Sequence, residues 1–184
     1  MDVATKRPMT VDEFLAWDDE QEGKHEFDGE NVIEMVGGAY NHEVIVSNLI
    51  AELAIRLRDG EFRAIGSGFR LRAGPAVRLP DVQVNRHIRN GRATISDQAI
   101  AVFEVLSPST ARTDRFKKAE DYWATPSIQH FVLIEQAFPG AIILSRGSSA
   151  WSRTSIEQGG VLDLPAIGVS LPLAELYRDV DFPV

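Results

Sequence analysis

Hydrophobic residues recur at helical spacing in three segments of the chain. The longest predicted helix runs from His42 to Arg58, because one stripe of apolar residues repeats every four positions: Ile45, Leu49, Leu53 and Leu57. A short helix is predicted at 11–18, since Thr10 and Glu13 have the spacing of a capping box. A third helix is predicted at 113–123, with an apolar side formed by Phe116, Ala119, Tyr122 and Trp123. Each helix therefore has one face that must pack against another element.

Alternating apolar and polar residues predict strands between these helices. Asp28-Gly29 is a two-residue turn signal, so 25–27 and 31–36 should pair as a hairpin, and Asn41 is the expected N-cap of the next helix. Further strands are predicted at 62–65, 69–72, 82–86, 100–106, 131–135, 141–145 and 151–156, with a last short helix at 173–177. This order predicts a single α/β domain over residues 1–184, in which helices flank a central mixed β-sheet.

Two carboxylates interrupt the apolar pattern at the places where strands should meet solvent. Asp81 follows a proline in RLPDVQV, and Glu104 lies in the middle of IAVFEVLSPST. A carboxylate is costly to bury unless it is paired or binds a cation. Neighbouring strands lie about 5 Å apart, so these two side chains can converge on one ion. Oxygen ligands favour Mg²⁺ or Mn²⁺, and such an ion polarises a phosphodiester and activates water.

Composition narrows the class of protein. There are no cysteines, which excludes disulfides and thiolate metal sites. No apolar run reaches about 18 residues, so no membrane-spanning helix is predicted. The N-terminal residues lack the apolar region of a signal peptide. A cytoplasmic protein is therefore expected.

Charge is distributed unevenly along the chain. The net charge of −8 argues against a tight non-specific binder of nucleic acid. The segment 56–118 nevertheless holds thirteen Lys and Arg against six Asp and Glu, whereas the remainder holds six against twenty-one. The candidate carboxylates thus lie in the basic part of the sequence. Whether these basic residues gather on one face depends on the fold.

Three motifs resemble the Uma-type family of putative restriction endonucleases, within the PD-(D/E)xK nuclease superfamily. They are PDV at 80–82, FEVLSPST at 103–110 and DRFKKAEDY at 114–122. MTVDEFLAW, HEFDGENVIEM and IQHFVLIE are also similar to the family, so the resemblance covers about residues 9–145. It implies a restriction endonuclease-like fold, a divalent metal and hydrolysis of DNA phosphodiester bonds. It also implies a homodimer in which each protomer cuts one strand.

The resemblance also implies roles for individual residues. Asp81 and Glu104 would bind the metal, with Glu26 as an additional acidic residue from the N-terminal part. Lys118 would be the catalytic lysine, orienting the attacking water and stabilising the charge of the transition state. Three arginines flank the site in sequence and are candidates to hold a phosphate backbone: Arg78, Arg112 and Arg115.

The sequence departs from the superfamily pattern at one position. Leu106 stands where the classical lysine follows the glutamate by two residues. Lys117 and Lys118 on the following helix point about 100° apart, so only one should face the site. We favour Lys118 because Tyr122, four residues further on, shares its face. His42 can approach the site from a helix N-terminus, but a lone histidine is more often a cap or a packed side chain.

Three functions are compatible with these observations. The leading hypothesis is a Mg²⁺-dependent endonuclease, with Trp151 and Phe182 left over for a partner surface. The first alternative is a catalytically silent nuclease-fold dimerisation or interaction module, which the acidic net charge and Leu106 favour. The second is a small phosphoester hydrolase, which would need a narrow closed pocket. A basic face gathered around Asp81 and Glu104 would favour the endonuclease, and scattered arginines would favour the interaction module.

Overall fold

A computed structural model describes residues 9–35, 37–106 and 112–182, and for 112–115 only the backbone. The helices are α1 (Val11–Asp18), α2 (Tyr40–Arg56), α3 (Arg112–Trp123) and α4 (Leu173–Leu176), with a 3₁₀ turn at Pro165–Ile167. The first strands are β1 (His25–Phe27), β2 (Val32–Glu34), β3 (Phe62–Gly66), β4 (Arg70–Ala73), β5 (Ala76–Arg78), β6 (Val82–Arg86) and β7 (Ile95–Ser96). The others are β8 (Ala99–Leu106), β9 (His130–Glu135), β10 (Gly140–Arg146), β11 (Trp151–Glu157), β12 (Val161–Leu164) and β13 (Val169–Pro172). No helix in these described ranges is long and apolar enough to cross a membrane.

The central element is a six-stranded sheet with strand order β11-β10-β9-β8-β6-β3. β8 and β9 run parallel, whereas the other neighbours are antiparallel, so the predicted mixed sheet is confirmed. The long helix α3 connects β8 to β9, as a crossover between parallel strands requires. This connection brings α3 back across the sheet beside β8.

Alternation along β8 builds a core on both faces of this sheet. Ala101, Phe103 and Val105 of β8 belong to one buried cluster with the apolar stripe of α2. This stripe consists of the four residues predicted from the sequence: Ile45, Leu49, Leu53 and Leu57. Val102 belongs to a second cluster that contains Tyr122 of α3. Glu104 has the same parity as Val102, so its side chain is directed toward the α3 side of the sheet.

A second, five-stranded sheet has the order β2-β1-β5-β4-β7. Helix α1 covers part of it, because Phe14 stacks on Phe27 with ring centroids 5.3 Å apart and both pack with Val77. The capping box of Thr10 and Glu13 is present at the start of α1, as predicted. All three residues of β1 are buried, and this sheet carries Glu26 into the interior.

The hairpin that follows α1 differs from the prediction. Phe27 pairs with Val32, so four residues rather than two connect the strands, and the second strand ends at Glu34. The cause is the Asp28 side chain, which accepts hydrogen bonds from the backbone N–H groups of Glu30 (2.9 Å) and Asn31 (2.7 Å). Residue 36, included in the predicted strand, lies outside the described residues.

The prediction that Asn41 caps α2 is wrong. The helix begins at Tyr40 with Ala39 at the N-cap, and no side chain caps it. Asn41 instead donates a hydrogen bond to the backbone carbonyl of Asp181 at 2.7 Å. This partner lies 140 positions away in the chain, and the local pattern around Asn41 carries no sign of it.

Aromatic residues assigned to a partner surface pack within the chain. Trp151 contacts Trp123 edge-on, with centroids 5.0 Å apart, and the Arg146 guanidinium lies over both rings. Phe182 packs on Tyr177. Trp151 and Phe182 are therefore not left over for a partner surface, since both pack within the chain.

Phe116 differs from the prediction in the opposite direction. The sequence predicts it on the apolar side of the third helix, but 61% of its surface is exposed.

Candidate active site

Asp81 and Glu104 come together because β6 and β8 are neighbours in the six-stranded sheet. Val82 pairs with Phe103, and continuing this antiparallel register by one residue places Asp81 opposite Glu104. The backbone N–H of Val105 donates to Asp81 Oδ2 at 2.7 Å, which ties the two strands together at this point. The two carboxylates thus share one end of the sheet, where β6 begins and β8 ends.

Helix α3 supplies two donors to Glu104 from one face. Lys118 Nζ lies 3.2 Å from Glu104 Oε1, and the Tyr122 hydroxyl donates to the same oxygen at 2.8 Å. Residues four apart on a helix are neighbours on its surface, which explains the shared target. Lys117 turns away and pairs with Asp28 at 2.8 Å. Of the two adjacent lysines, Lys118 is therefore the one that faces the carboxylates.

Glu26 reaches the same place from the five-stranded sheet. Lys118 Nζ lies 3.1 Å from Glu26 Oε1, so the ammonium bridges Glu26 and Glu104. The backbone N–H of Leu79 donates to Glu26 Oε1 at 2.9 Å, and Arg78 Nη1 lies 3.0 Å from Oε2. The structure thus brings together all four residues predicted to be catalytic, which come from two sheets and one helix.

The surroundings of Glu104 disfavour its negative charge. Burial raises the pKa of Glu104, and the negative charges of Asp81 and Glu26 raise it further. The Lys118 ammonium and the Tyr122 hydrogen bond act in the opposite direction, and the resulting pKa is about 7. Crowded carboxylates with a perturbed pKa are typical of functional sites. A cation bound here would relieve this repulsion.

The pKa values of Glu26 and Tyr122 are also shifted, in opposite directions. Burial raises the pKa of Glu26, but Lys118, Arg78 and the Leu79 N–H more than offset it, so the pKa is lowered and Glu26 is ionised. Burial and the charge of Glu104 hold the pKa of Tyr122 well above its ordinary value. Tyr122 therefore remains a hydrogen-bond donor to Glu104 at neutral pH.

We expect the raised pKa of Glu104 to appear in the pH dependence of stability. Between its ordinary value of 4.5 and about 7, the folded protein retains a proton that the unfolded chain has lost. The contribution of Glu104 to the free energy of unfolding should therefore fall as the pH rises through this window. Denaturant unfolding in metal-free buffer measures it as the difference between wild type and Glu104→Gln. A difference that is constant with pH would contradict the assigned pKa.

Arg78 does not occupy the position predicted for a phosphate contact. Its side chain is fully buried and pairs with Glu26 and with Asp121, whose Oδ2 accepts from Nε at 3.0 Å and from Nη2 at 2.6 Å. A phosphate cannot reach it there, so Arg78 anchors Glu26 and α3 instead of binding substrate. Arg112 and Arg115, the other two predicted phosphate contacts, have side chains outside the described part of the chain.

Replacing Arg78 is expected to destabilise the fold strongly. The variant Arg78→Met leaves two carboxylates buried without their cation, which costs about 3–5 kcal/mol of unfolding free energy. Arg72→Met is the matched control, because Arg72 and its partner Asp12 are exposed and such pairs contribute at most about 1 kcal/mol. Chemical denaturation of both variants measures the difference. Equal losses would show that Arg78 is not the buried anchor described here.

Sequence reasoning undervalued two residues that contact the carboxylates. His42 Nε2 lies 3.3 Å from Asp81 Oδ2. The hydrogen bond to Asp81 raises the pKa of His42, although burial acts against it. Tyr122 is predicted from the sequence to lie on the apolar side of the third helix and on the same face as Lys118, yet it also donates a hydrogen bond directly to Glu104. Its spacing from Lys118 was the available signal for this contact, whereas nothing in the sequence pairs His42 with Asp81.

The two predicted metal ligands each keep one oxygen free of hydrogen bonds and ion pairs within the described residues. Val105 and His42 engage only Oδ2 of Asp81, and Lys118 and Tyr122 engage only Oε1 of Glu104. No group of three or more His, Cys, Asp or Glu side chains in the described ranges is arranged to hold a metal. Two carboxylates are nevertheless sufficient for Mg²⁺, which usually retains several waters. The donor set therefore fits a hard divalent cation.

The basic side chains of segment 56–118 that the structure describes are divided between this site and distant places. Arg78 and Lys118 lie at the carboxylates. Arg70 pairs with Asp18 and Asp19 of the α1 region. Arg86, at the other end of β6 from Asp81, pairs with Glu61. A cavity of about 300 Å³ lies at that far end, lined by Gly60, Glu61, Arg86, His87 and Arg89. Several of the described arginines thus form ion pairs that are dispersed over the structure, and this dispersal favours an interaction module.

Comparison with known proteins identifies the family. The family model described as Uma2, putative restriction endonuclease, matches residues 11–174. The chain belongs to the Uma2 family. This confirms the resemblance drawn from the three motifs, and it places the carboxylates and Lys118 inside the matched region.

Individual proteins are similar to this chain over most of its length. The uncharacterized protein slr1290 of Synechocystis is 27% identical over 178 residues, which covers 95% of this chain and 94% of the relative. A second Synechocystis protein, sll1609, is 28% identical over 142 residues, covering 74% and 80%. The crystal structure of a putative nuclease belonging to DUF820 from Anabaena variabilis superposes with a TM-score of 0.78 at 20% identity, covering 93% and 98%. The chain therefore has the fold of that protein, and membership in the Uma2 family supports a nuclease role.

Proposed function

We propose that this chain is a Mg²⁺- or Mn²⁺-dependent endonuclease that hydrolyses DNA phosphodiester bonds. The observation that carries the proposal is the pair of carboxylates on adjacent strands, Asp81 and Glu104, with the Lys118 ammonium held at the second of them. Asp81 Oδ1 and Glu104 Oε2 would hold the ion. When bound, such an ion lowers the pKa of a coordinated water and polarises a phosphoryl oxygen.

Residues of the chain itself supply the remaining requirements of phosphodiester hydrolysis. Lys118 is the positive group placed to orient a water molecule and to stabilise charge that develops on phosphate oxygens. Glu26 holds Lys118 in position, with Nζ and Oε1 3.1 Å apart. Tyr122 fixes the rotamer of Glu104 from the side opposite to solvent, because its ring is fully buried against Phe131. Lys118 and Glu104 are thus preorganised by their contacts with Glu26 and Tyr122.

A second function is favoured by the dispersed arginines. A catalytically silent nuclease-fold domain that binds another protein or a second copy of itself needs no basic groove, and the Uma2 fold would serve as its scaffold. The small phosphoester hydrolase is the third candidate, since the same carboxylates would act on a smaller substrate. Homodimerisation belongs to both of the first two functions, and sedimentation of the purified protein tests it.

One assay separates these functions. Supercoiled plasmid is incubated with the wild-type protein and Mg²⁺ or Mn²⁺, with chelator in a parallel reaction, beside a chromogenic phosphodiester. The endonuclease proposal requires nicked plasmid that depends on the metal. Hydrolysis of the small ester alone would identify a phosphoester hydrolase. Inactivity on both substrates, with the metal bound, would favour the interaction module.

A further inference from the structure

His42 is held against Asp81 from the first turn of α2. Its Nε2 lies 3.3 Å from Asp81 Oδ2, and only 13% of its side chain is exposed. The backbone N–H of Val105 donates to the same oxygen at 2.7 Å. A backbone hydrogen bond and a close imidazole contact, from different elements, therefore meet at Oδ2 and hold the orientation of the carboxylate. This orientation leaves Oδ1 as the oxygen available to a ligand.

The imidazole of His42 is enclosed by Gly38, which precedes α2, and by Glu43 in the first turn of α2. Its Nδ1 is buried and makes no hydrogen bond within the described residues. Gly38 N donates to Glu43 Oε1 at 3.2 Å, and that oxygen lies 3.3 Å from His42 Nδ1. A Cβ added at Gly38 would lie 2.5 Å from His42 Nδ1 and 2.7 Å from Glu43 Oε1. Real Cβ atoms do not approach this closely, so any side chain at Gly38 displaces the ring. At Gly37 an added Cβ would meet nothing within 4 Å.

We infer that His42 is a positioning residue for Asp81, and that the absence of a side chain at Gly38 is what allows it to act. The inference rests on the proposed metal site, to which it adds the group that orients one of the two ligands. Donors that hold a ligating carboxylate set its rotamer, and their loss typically weakens metal binding about 10–100-fold. His42 does not contact the metal or the substrate in this account.

The test is Mn²⁺ binding measured by calorimetry, without any activity assay. The buffer is mildly alkaline, so that an ordinary imidazole is neutral and still donates through one nitrogen. The variants are His42→Ala, which removes the donor, and His42→Gln, which returns an N–H group. Gly38→Ala displaces the ring without changing His42. The controls are Gly37→Ala and His87→Ala, the latter at an exposed histidine beyond the far end of β6.

The expected result is a loss of about tenfold or more in Mn²⁺ affinity for His42→Ala and Gly38→Ala. His42→Gln should recover most of it, and both controls should bind like the wild type. Thermal unfolding without metal shows whether each variant is folded, and Gly38→Ala carries the test if His42→Ala is not. Equal or tighter binding by His42→Ala, or equal losses in Gly37→Ala and Gly38→Ala, would overturn the inference and leave the metal site standing. Wild-type protein that binds no Mn²⁺ would overturn both.

Discussion

Glu104→Gln is expected to abolish metal-dependent cleavage and to weaken Mn²⁺ binding by more than about 100-fold. The substitution keeps the shape of the side chain and an oxygen for the Tyr122 hydroxyl, but it removes the negative charge that a hard cation requires. The loss should exceed the effect of changing an outer group that only holds a ligand. Plasmid nicking and calorimetry on the same preparation measure the two effects.

The same variant should be as stable as the wild type or more stable in alkaline solution. The fold raises the pKa of Glu104, which means that its packing disfavours the charged form. The variant should therefore lose its function without losing stability, a trade-off that is common at functional sites. Glu157→Gln on the exposed edge strand β11 is the matched control and should retain binding and cleavage. Cleavage by Glu104→Gln at the wild-type rate would exclude Glu104 from the site.

Lys118→Met is expected to lower the cleavage rate about 10²–10³-fold, the loss typical of one preorganised electrostatic group. Lys118 also lowers the pKa of Glu104, so Mn²⁺ binding is measured in alkaline buffer, where Glu104 is ionised. Binding should then be retained or strengthened, because the substitution removes a positive charge 3.2 Å from Glu104 Oε1. The adjacent Lys117→Met is a close control, since Lys117 pairs with Asp28 away from the carboxylates. Nicking rates and calorimetric titrations of the two variants provide the comparison.

Comparing the two neighbouring lysines tests whether the position of Lys118 at the carboxylates matters, because Lys117 carries the same charge but faces Asp28. Equal defects in Lys117→Met and Lys118→Met would indicate a general role of positive charge on α3 rather than a specific catalytic group. Full activity of Lys118→Met would remove the lysine from the proposed reaction. Loss of metal binding together with cleavage would mean that Lys118 organises the carboxylates, since it bridges Glu26 and Glu104.

Local sequence patterns were sufficient to predict the helices and strands that carry the site. The predicted bounds of β6 (82–86) and α1 (11–18) match the structure, and those of β8 and α3 differ by one residue at the start. These segments have strong periodicity or explicit caps, which are determined by neighbouring residues. The short strands β5, β7, β12 and β13 were not predicted. Strands of two to four residues show no clear alternation and exist because distant partners pair with them.

Long-range partners explain the errors at the site. Arg78 was assigned to substrate because it precedes Asp81 in sequence, but Glu26 and Asp121, 52 and 43 positions away, draw it into the core. Segment 56–118 has an excess of basic residues in composition, yet three of its arginines pair with acidic residues elsewhere in the fold: Arg70, Arg72 and Arg86. The excess of basic residues in this segment therefore did not predict a positively charged surface around the site. The convergence of Asp81 and Glu104 could be predicted from the sequence, because it requires only that two neighbouring strands pair.

The most direct test of the account is a crystal structure of the protein grown with Mn²⁺, with anomalous scattering recorded at a wavelength where manganese contributes. The account requires an anomalous peak within bonding distance of Asp81 Oδ1 and Glu104 Oε2, with Lys118 still paired to Glu26. A well-ordered site with no peak between these two oxygens, or a peak held by other residues, would contradict the assignment of Asp81 and Glu104 as the metal ligands.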